Sequence, residues 1–309
     1  MDRIEAMEAF VRLVELGNFS KVAKELRIKQ STVSKWMAKL EKQLHVQLIE
    51  RTSRSVRITD AGQLFYHHSR EILATFEDTQ AQLQKVSTEL RGRLKVSVPV
   101  VFGRLFITPY ISAFMHLHPG LELELVFNDS YVRMLEEGFD VAIRVGIPED
   151  SSLRCTTLAR TPRRVVASPD YLERYGIPIA PLMLEEHCCL LHTGVRTRVV
   201  WAFSEGERTI KASVSGRIAA NNSEALLTMA REGLGVSLLA SWLVDDDLRS
   251  GRLVPILEKY TLPSAPVQAL TLATKYTHPR VRVFLDWLKG TFSKIEALQG
   301  IVREESSEL

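Results

Sequence analysis

The sequence predicts an α/β fold with an all-α-rich N-terminal winged helix-turn-helix, and three observations carry that reading. Apolar residues recur at spacings of three and four through residues 4–44, ten cations crowd into residues 17–59, and beyond residue 91 strand-like and helix-like stretches take turns. At 309 residues the chain has room for two or three domains of roughly 100–200 residues, each with a core large enough to fold unaided.

The first helix is read from Ile4, Met7, Phe10, Val11 and Val14, and Gly17-Asn18 ends it because both residues tolerate a left-handed turn. Ser20 is the expected cap of a second helix whose inner face is Val22, Ala23 and Leu26, with Ala23 small enough for another helix to cross closely. After Arg27-Ile28-Lys29 a third apolar series follows, Val33, Trp36, Met37, Leu40 and Leu44. Helices joined by so short a link form a helix-turn-helix. With Val33, Met37, Leu40 and Leu44 inward, the third helix turns Ser31, Thr32, Lys35, Lys39 and Lys42 outward: short hydroxyls for base edges or phosphates, lysines behind them for phosphates. The bland alternative is a solvated amphipathic helix, and the residues that follow weigh against it. Residues 48–51 and 56–59 have strand character around a Thr52-Ser53-Arg54-Ser55 turn. Arg51, Arg54 and Arg57 on one small ribbon make a poor core and a good clamp on phosphates or a minor groove.

Charge sharpens the point. Residues 17–59 set ten cations against Glu25, Glu41 and Glu50, an excess of +7 in a chain whose total is +3. The remainder therefore carries −4, and the positive field belongs to one small module.

Phe19-Ser20, Gln30-Ser31-Thr32-Val33-Ser34-Lys35, Leu40-Glu41, Leu48-Ile49-Glu50-Arg51-Thr52 and Ile58-Thr59-Asp60-Ala61-Gly62 follow one another in order and without gaps. In this the chain resembles the LysR family of bacterial transcription regulators. The resemblance implies double-stranded DNA as a partner, with Ser20, Gln30, Ser31, Thr32, Ser34, Lys35, Lys39, Arg51, Arg54 and Arg57 as DNA-binding residues. The sequence departs from the family pattern at Arg27 and His45, where glycine is usual, at Lys29, where a serine cap is usual, and at Ser31, where proline is frequent. A non-glycine residue held at positive φ costs about 1 kcal/mol, and Arg27 and Lys29 offer extra phosphate contacts instead.

From Asp60 a long helix carries Phe65, His68, Ile72, Phe76, Thr79, Leu83 and Val86 at spacings of three and four. Such a strip has no core of its own, so a partner helix is its expected cover. It resembles the family's linker helix, which implies a homo-oligomer, dimer or tetramer, with recognition helices about one turn of DNA apart. His67 and His68, being adjacent, point to different faces and are read as surface and seam residues rather than metal ligands.

Arg91-Gly92-Arg93 marks a boundary, and alternating Leu94, Val96 and Val98 opens a strand. Residues 121–127, 139–146, 164–167, 210–218 and 235–239 read as further strands, and 132–137, 169–175 and 223–232 as helices, an alternation that argues for parallel α/β sheets. Glu137-Gly138-Phe139-Asp140-Val141-Ala142-Ile143-Arg144, Asn221-Asn222-Ser223-Glu224-Ala225-Leu226, Gly233-Leu234-Gly235 and Gly251-Arg252-Leu253-Val254-Pro255 resemble the LysR effector domain, itself periplasmic-binding-protein-like and two-lobed. The resemblance implies a small-molecule effector and RNA polymerase as further partners. It divides the chain into residues 1–59, a linker helix 60–90, a regulatory domain 91–293 (lobe 1 at 91–163 and 268–293, lobe 2 at 164–267) and a polar tail 294–309. Ligands of such folds bind outside the carboxyl ends of strands and at helix N-termini. That selects Val100, Val101, Phe102, Ser130, Arg144, Gly146, Asn221, Asn222 and Ser223 as effector-binding residues. Val100, Val101 and Phe102 stand where the family often has a hydroxyl, which predicts a greasy pocket. Asn221, Asn222 and Ser223 serve equally as plain helix caps, and Arg144 equally as half of a structural ion pair.

Composition bounds the remaining classes. Hydrophobic residues make up 45% of the chain and charged residues 25%, as in soluble globular proteins. Cys155, Cys188 and Cys189 are odd in number and have no C-x-x-C spacing, which argues against a disulfide framework or a metal site. Asp2, Arg3, Glu5 and Glu8 stud the N-terminus where a signal peptide would be apolar, and no stretch reaches the roughly 18 uninterrupted apolar residues of a spanning helix. The expectation is a cytoplasmic protein with no membrane partner and no cofactor.

An enzyme on the two-lobed domain is one rival reading. The sequence has no G-x-S-x-G elbow, Walker loop, metal-spaced cluster or GxGxxG after a strand. His187 and His192 beside Cys188 and Cys189 invite a Cys–His nucleophile, but sequence neighbours seldom converge in space. An architectural DNA-binding protein is the other rival. It predicts salt-sensitive binding with little sequence preference, whereas a regulator predicts a specificity ratio of roughly 10³ or more and ligand-linked changes.

Overall fold

A computed structural model describes residues 2–51, 56–83, 90–146, 153–192, 199–273 and 277–299. α1 (Arg3–Leu16) ends at Gly17 in a left-handed turn, φ 65°. Asn18, not Ser20, caps α2 (Phe19–Glu25), accepting from the amides of Ser20 and Lys21 at 2.8 and 3.2 Å. Asn18 holds the extended backbone that a cap needs, whereas Ser20 already lies in the helix's first turn. α3 (Gln30–Leu44) starts without a side-chain cap because Lys29 offers no acceptor. Ala9, Phe10, Leu13, Val22, Ala23, Val33, Met37 and Leu40 of the three helices form one core with Leu48 and Ile49. Leu44, expected inward, is 40% exposed, since α3 stops at it and the chain turns left-handed at His45, φ 52°. Arg27 is likewise left-handed, φ 55°.

β1 (Ile49–Arg51) and β2 (Val56–Ile58) pair antiparallel with Ile49 opposite Ile58. The hairpin turn, and with it Arg54, lies outside the described residues. α4 (Asp60–Leu83) follows at once. A Cβ on Gly62 would sit 2.0 Å from the Leu48 carbonyl oxygen, so the exit of the wing requires glycine there. On α4, Phe65 packs into the helical core against Phe10 at 5.2 Å rather than joining a seam, while His68, Ile72, Phe76 and Thr79 are exposed. Val86 lies outside the described residues.

The remainder builds two five-stranded sheets. β3 (Gly92–Val98) leads through α5 (Val100–Phe102) and a π turn into α6 (Thr108–Leu117), then β4 (Leu121–Phe127), α7 (Met134–Glu137), β5 (Val141–Val145) and β6 (Leu153–Thr161). β7 (Arg163–Ala167) and α8 (Pro169–Tyr175) open the second set. It continues with β8 (Cys189–His192), the hairpin of β9 (Val199–Glu205) and β10 (Arg208–Val214), β11 (Ala219–Ala220), α9 (Ser223–Arg231), β12 (Val236–Ala240), α10 (Ser241–Arg249) and β13 (Val254–Ile256). β14 (Ala265–Leu272) returns to the first sheet and α11 (Pro279–Phe292) covers it. The orders are β4-β3-β5-β14-β6 and β11-β8-β12-β7-β13.

The expectation of parallel sheets is therefore corrected to mixed ones. β4, β3 and β5 are mutually parallel, but β14 runs antiparallel to both of its neighbours, β5 and β6, as β7 does to β12 and β13 in the other sheet. β6 and β14 lead out of and back into the first sheet as neighbours, which makes them antiparallel to each other.

The run Val100–Leu117 comes closer to a spanning helix than the sequence reading allowed: by length and composition alone it is apolar enough, with a mean hydropathy of 1.4. Here Phe102, Ile107 and Phe114 bury into the first sheet's core beside Leu94, Val96 and Val98. Past Ser293 the chain also does more than trail away, since Leu298 is buried in that same core.

α4 touches both halves. Tyr66 donates to Glu15 of α1 at 3.1 Å, while Gln63 donates to the Glu136 carbonyl and Arg70 to that of Gly138, the latter at 3.0 Å. His67, read from sequence as a surface residue, is only 7% exposed, because α4 lies against the first lobe. It borders a cavity of about 50 Å³ with Arg70, Asp140, His278 and Arg280. Asp140 is shared there by Arg70 at 3.7 Å and Arg280 at 3.9 Å.

Candidate functional site

Residues 17–59 expose most of their cations and use two of their three carboxylates structurally. Lys21, Lys24, Arg27, Lys29, Lys35, Lys39 and Lys42 are all exposed, and among the described residues none is in an ion pair. Arg57 on β2 is exposed too, and the backbone of Arg51 lies opposite Val56 across the ribbon. Glu25 is held by Arg12 at 2.5 and 2.9 Å, which keeps its carboxyl below the usual range. Glu41 accepts from the amides of Leu48 and Ile49 at 2.9 and 3.1 Å. Two of the three acids in residues 17–59 thus serve the structure, leaving Glu50 exposed and the field of that surface positive.

Within that surface Ser20 Oγ donates to Gln30 Oε1 at 3.1 Å, joining the first turns of α2 and α3. Gln30, Ser31, Lys35 and Lys39 are exposed, and Thr32 and Ser34 are half-buried. An α-helix fits the major groove, and its first turn offers unpaired amides beside short polar side chains.

The second site is the crevice between the two sheets, about 970 Å³. Val101, Phe102, Ser130, Arg144, Gly146, Asn221 and Ser223 line it, whereas Val100 and Asn222 do not. Val100 instead donates its amide to Asp129 at 2.9 Å. Asn222 caps α9, accepting from Ala225 at 2.9 Å and donating to Asp129 at 2.6 Å. Its capping reading therefore holds in the structure. Asn221 reaches across to Ser130 at 3.1 Å, bridging the two lobes. Arg144 donates to the carbonyls of Ile143 and Ser130 and to Ser97 Oγ at 2.6–3.0 Å, and burial pushes its pKa down against the pull of Asp129.

The lining also holds residues that the sequence did not single out, chiefly Arg163, Trp201 and Trp242. Arg163 donates through Nε and Nη2 to the Pro263 carbonyl at 3.0 and 2.8 Å. The one available signal was an arginine after a proline between two strands. Trp201 and Trp242 come from elements far apart in the chain, and nothing local marks them.

The Cys–His pair does not assemble as a nucleophile. Burial pushes the Cys189 thiol up to about 12, and His187, itself pushed down by burial, bonds with the Tyr171 hydroxyl at 3.2 Å.

Comparison with known proteins agrees with this geometry. Residues 4–63 match the family model of the bacterial regulatory helix-turn-helix protein of the lysR family, and residues 87–293 match the LysR substrate binding domain. An HTH-type transcriptional regulator of Haemophilus influenzae is 35% identical over 84% of this chain and 90% of its own. CrgA of Neisseria meningitidis, a LysR-type transcriptional regulator of solved structure, is 30% identical over 93% of this chain and 97% of its own, with a TM-score of 0.53. Full-length OxyR of Pseudomonas aeruginosa, at 19% identity, shares the fold with a TM-score of 0.70 over 98% of this chain and 99% of its own. With both domains matched over most of its length, the chain belongs to the LysR family of transcriptional regulators, DNA-binding proteins with an effector-binding domain.

Proposed function

We propose that a dimer or tetramer paired through the exposed Ile72 and Phe76 strip of α4 holds double-stranded DNA with α3 and the wing, and couples that grip to ligand in the crevice. Ser20, Gln30, Ser31, Thr32 and Ser34 face base edges and nearby phosphates, and Lys35, Lys39, Arg51, Arg54 and Arg57 neutralise the backbone. The effector lies against Val101, Phe102, Ser130, Arg144, Gly146, Asn221 and Ser223. The division follows these roles: residues 1–59 for DNA, 60–90 for pairing, 91–293 for sensing, with the chain passing between lobes near 162 and 264. Ligand shifts the populations of two lobe arrangements, and α4, seated on both the helical core and Gly138, transmits the shift to half-site spacing and DNA bending. Such a protein works in the cytoplasm beside RNA polymerase.

The observation that carries this reading is the run of exposed cations over α2 and α3 that have no ion-pair partner among the described residues. Its test compares the full chain on a duplex from its own upstream region with a random duplex at physiological salt. A ratio of roughly 10³ or more is expected. Equal affinity for the two duplexes would end the proposal in favour of an architectural binder.

A further inference from the structure

Arg280, in the first turn of α11, is only 9% exposed, yet its Nε is buried with no hydrogen-bond partner among the described residues. The carboxylate it faces, Asp140, stands 3.9 Å from its Nη2, beyond hydrogen-bond reach. Asp140 has other claims on it. Its Oδ2 accepts from the Lys95 amide at 2.8 Å, and Arg70 of α4 approaches the same oxygen at 3.7 Å. Two guanidinium groups thus share one carboxylate, and neither bonds to it. A guanidinium carries five donors, and burying its charge is costly unless it is both paired and hydrogen-bonded.

The cavity of about 50 Å³ lies among these groups, lined by Arg70 from α4 and by Asp140 and Arg280 from the first lobe. Its volume is several times the roughly 10–15 Å³ that one water needs, so a polyatomic ion fits. Thr271 and Thr277 add hydroxyl-bearing side chains to the wall, while Phe139 and Leu272 make part of it apolar. His278, Arg280 and Val281 bring the N-terminal turn of α11 to its edge, and this 14-residue helix starts with no side-chain cap. The positive end of a helix favours an anion, in the same sense as the two arginines. Water in such a space satisfies donors but leaves the excess positive charge. An anion does both. A guanidinium fork matches oxyanions, and a tetrahedral one presents oxygens in several directions, so a single ion reaches arginines on two separate helices.

We propose that this junction binds a small tetrahedral oxyanion of the phosphate or sulfate class, held by Arg280 and Arg70 at the N-terminus of α11. The site is separate from the crevice between the sheets, with which it shares no lining residue, and from the exposed cations of α2 and α3. Its position gives it a consequence. Arg70 belongs to α4 and Arg280 to the first lobe, so the anion replaces their mutual repulsion with a shared counter-charge and braces the linker helix on the lobe.

The test titrates the full-length protein, in a zwitterionic buffer at constant ionic strength, with inorganic phosphate, sulfate or chloride, followed by calorimetry. Phosphate and sulfate should each bind saturably with about one ion per chain at this site, and chloride about tenfold or more weakly. Arg280→Gln and Arg70→Gln should each weaken oxyanion binding about tenfold or more, as expected for loss of a charged hydrogen bond. Arg282→Gln, on the exposed residue two positions along α11, should leave it intact. Because the cations of α3 also attract phosphate, the titration is repeated in Lys35→Ala with Lys39→Ala, where the arginine-dependent site should persist. Saturating phosphate should also slow limited proteolysis near the α4 junction about twofold or more, and Arg280→Gln should abolish that protection; exclusion of kosmotropic anions from the surface would instead protect both proteins alike. Absence of saturable binding, or equal binding in Arg280→Gln, overturns the proposal and leaves water as the content of the cavity. Binding lost only with the lysines overturns it in favour of the DNA-facing surface, and chloride binding as tightly as phosphate overturns the oxyanion class. Should Arg280→Gln fail to fold, Arg70→Gln decides alone: unchanged phosphate affinity there overturns the proposal.

Discussion

Lys35 and Lys39 on α3 are exposed with no carboxylate partner among the described residues, whereas Arg231 and Arg252 converge on the fully buried Asp247 at 2.6–2.7 Å. The contrast runs through the chain. Beyond residue 90 Arg93, Arg104, Arg133, Arg164 and Arg249 each meet a glutamate or aspartate. Among the described residues of the helix-turn-helix only Arg12 does so, and its partners Glu15 and Glu25 are acids that would otherwise dilute the positive surface. The weight of ion pairing thus falls beyond residue 90, although cations such as Arg163 and Lys211 there also have no carboxylate partner among the described residues. The net charge of +3 hides the division.

The comparison fails first, and by the largest amount, if the C-terminal ion pairs prove dispensable. Burial alone would raise the pKa of Asp247, but hydrogen bonds from Arg231 and Arg252 outweigh it and hold the carboxyl below its ordinary value. Asp247→Asn leaves two guanidinium groups without their counter-charge and should cost about 3 kcal/mol in urea denaturation of the full chain at pH 7. Because the folded pKa is depressed, the carboxylate's contribution is fully present above its unfolded value near 4 and disappears as pH falls through the lower folded value. The gap between the original protein and the variant should therefore close in acid. A gap independent of pH would mean that packing, not charge, holds this corner.

The mirror-image prediction concerns α3. Lys35→Ala with Lys39→Ala should lower DNA affinity about tenfold or more and make the slope of log affinity against log salt shallower by about 2, while the melting temperature stays within about 1 °C. Alanine is at least as good a helix former as lysine, so propensity gives no reason for instability. A large loss of stability would show that these lysines belong to the fold, and the regional contrast would dissolve.

How far each region could be read from sequence follows the same line. The helix-turn-helix is built from contacts close in the chain, so periodicity alone revealed Val33, Met37 and Leu40 as core and Lys35 and Lys39 as surface. The misreadings there are end effects: Asn18 capping in place of Ser20, and Leu44 exposed where α3 stops. The crevice is assembled from strand ends far apart in sequence. Rules about strand ends and helix starts found Phe102, Arg144 and Asn221, but Arg163, Trp201 and Trp242 come together only when two crossovers and a hairpin are folded. His67 escaped for a related reason, since its cover is a lobe that begins about twenty-five residues later.

The junction between the regions gives a prediction of intermediate size. Gly138 is left-handed, φ 68°, and a Cβ there would lie 3.0 Å from Arg70 Nη1. Gly138→Ala should cost about 1–2 kcal/mol, from the backbone and from loss of the Arg70 bond to that carbonyl. Limited proteolysis should then cut near the α4 junction sooner, while DNA affinity measured without ligand changes little. Unchanged proteolysis would mean that α4 is not seated on the first lobe in solution.

The smallest expected effect separates the two kinds of residue most cleanly. Arg27 and His45 are both exposed, both left-handed and both non-glycine, φ 55° and 52°. Replacing either by glycine relieves about 1 kcal/mol of steric strain, part of which is returned as entropy of the unfolded chain, so each variant should gain a few tenths of a kcal/mol. The two part company on DNA. Arg27 adjoins the start of α3 among the unpaired cations, and Arg27→Gly should weaken DNA binding several-fold with a salt slope shallower by about 1. His45, at the far end of the same helix, should gain its stability without a measurable change in affinity. If both variants bind DNA as the original does, the positive surface ends short of Arg27; if both bind more weakly, the left-handed corners themselves set the angle at which α3 meets the groove.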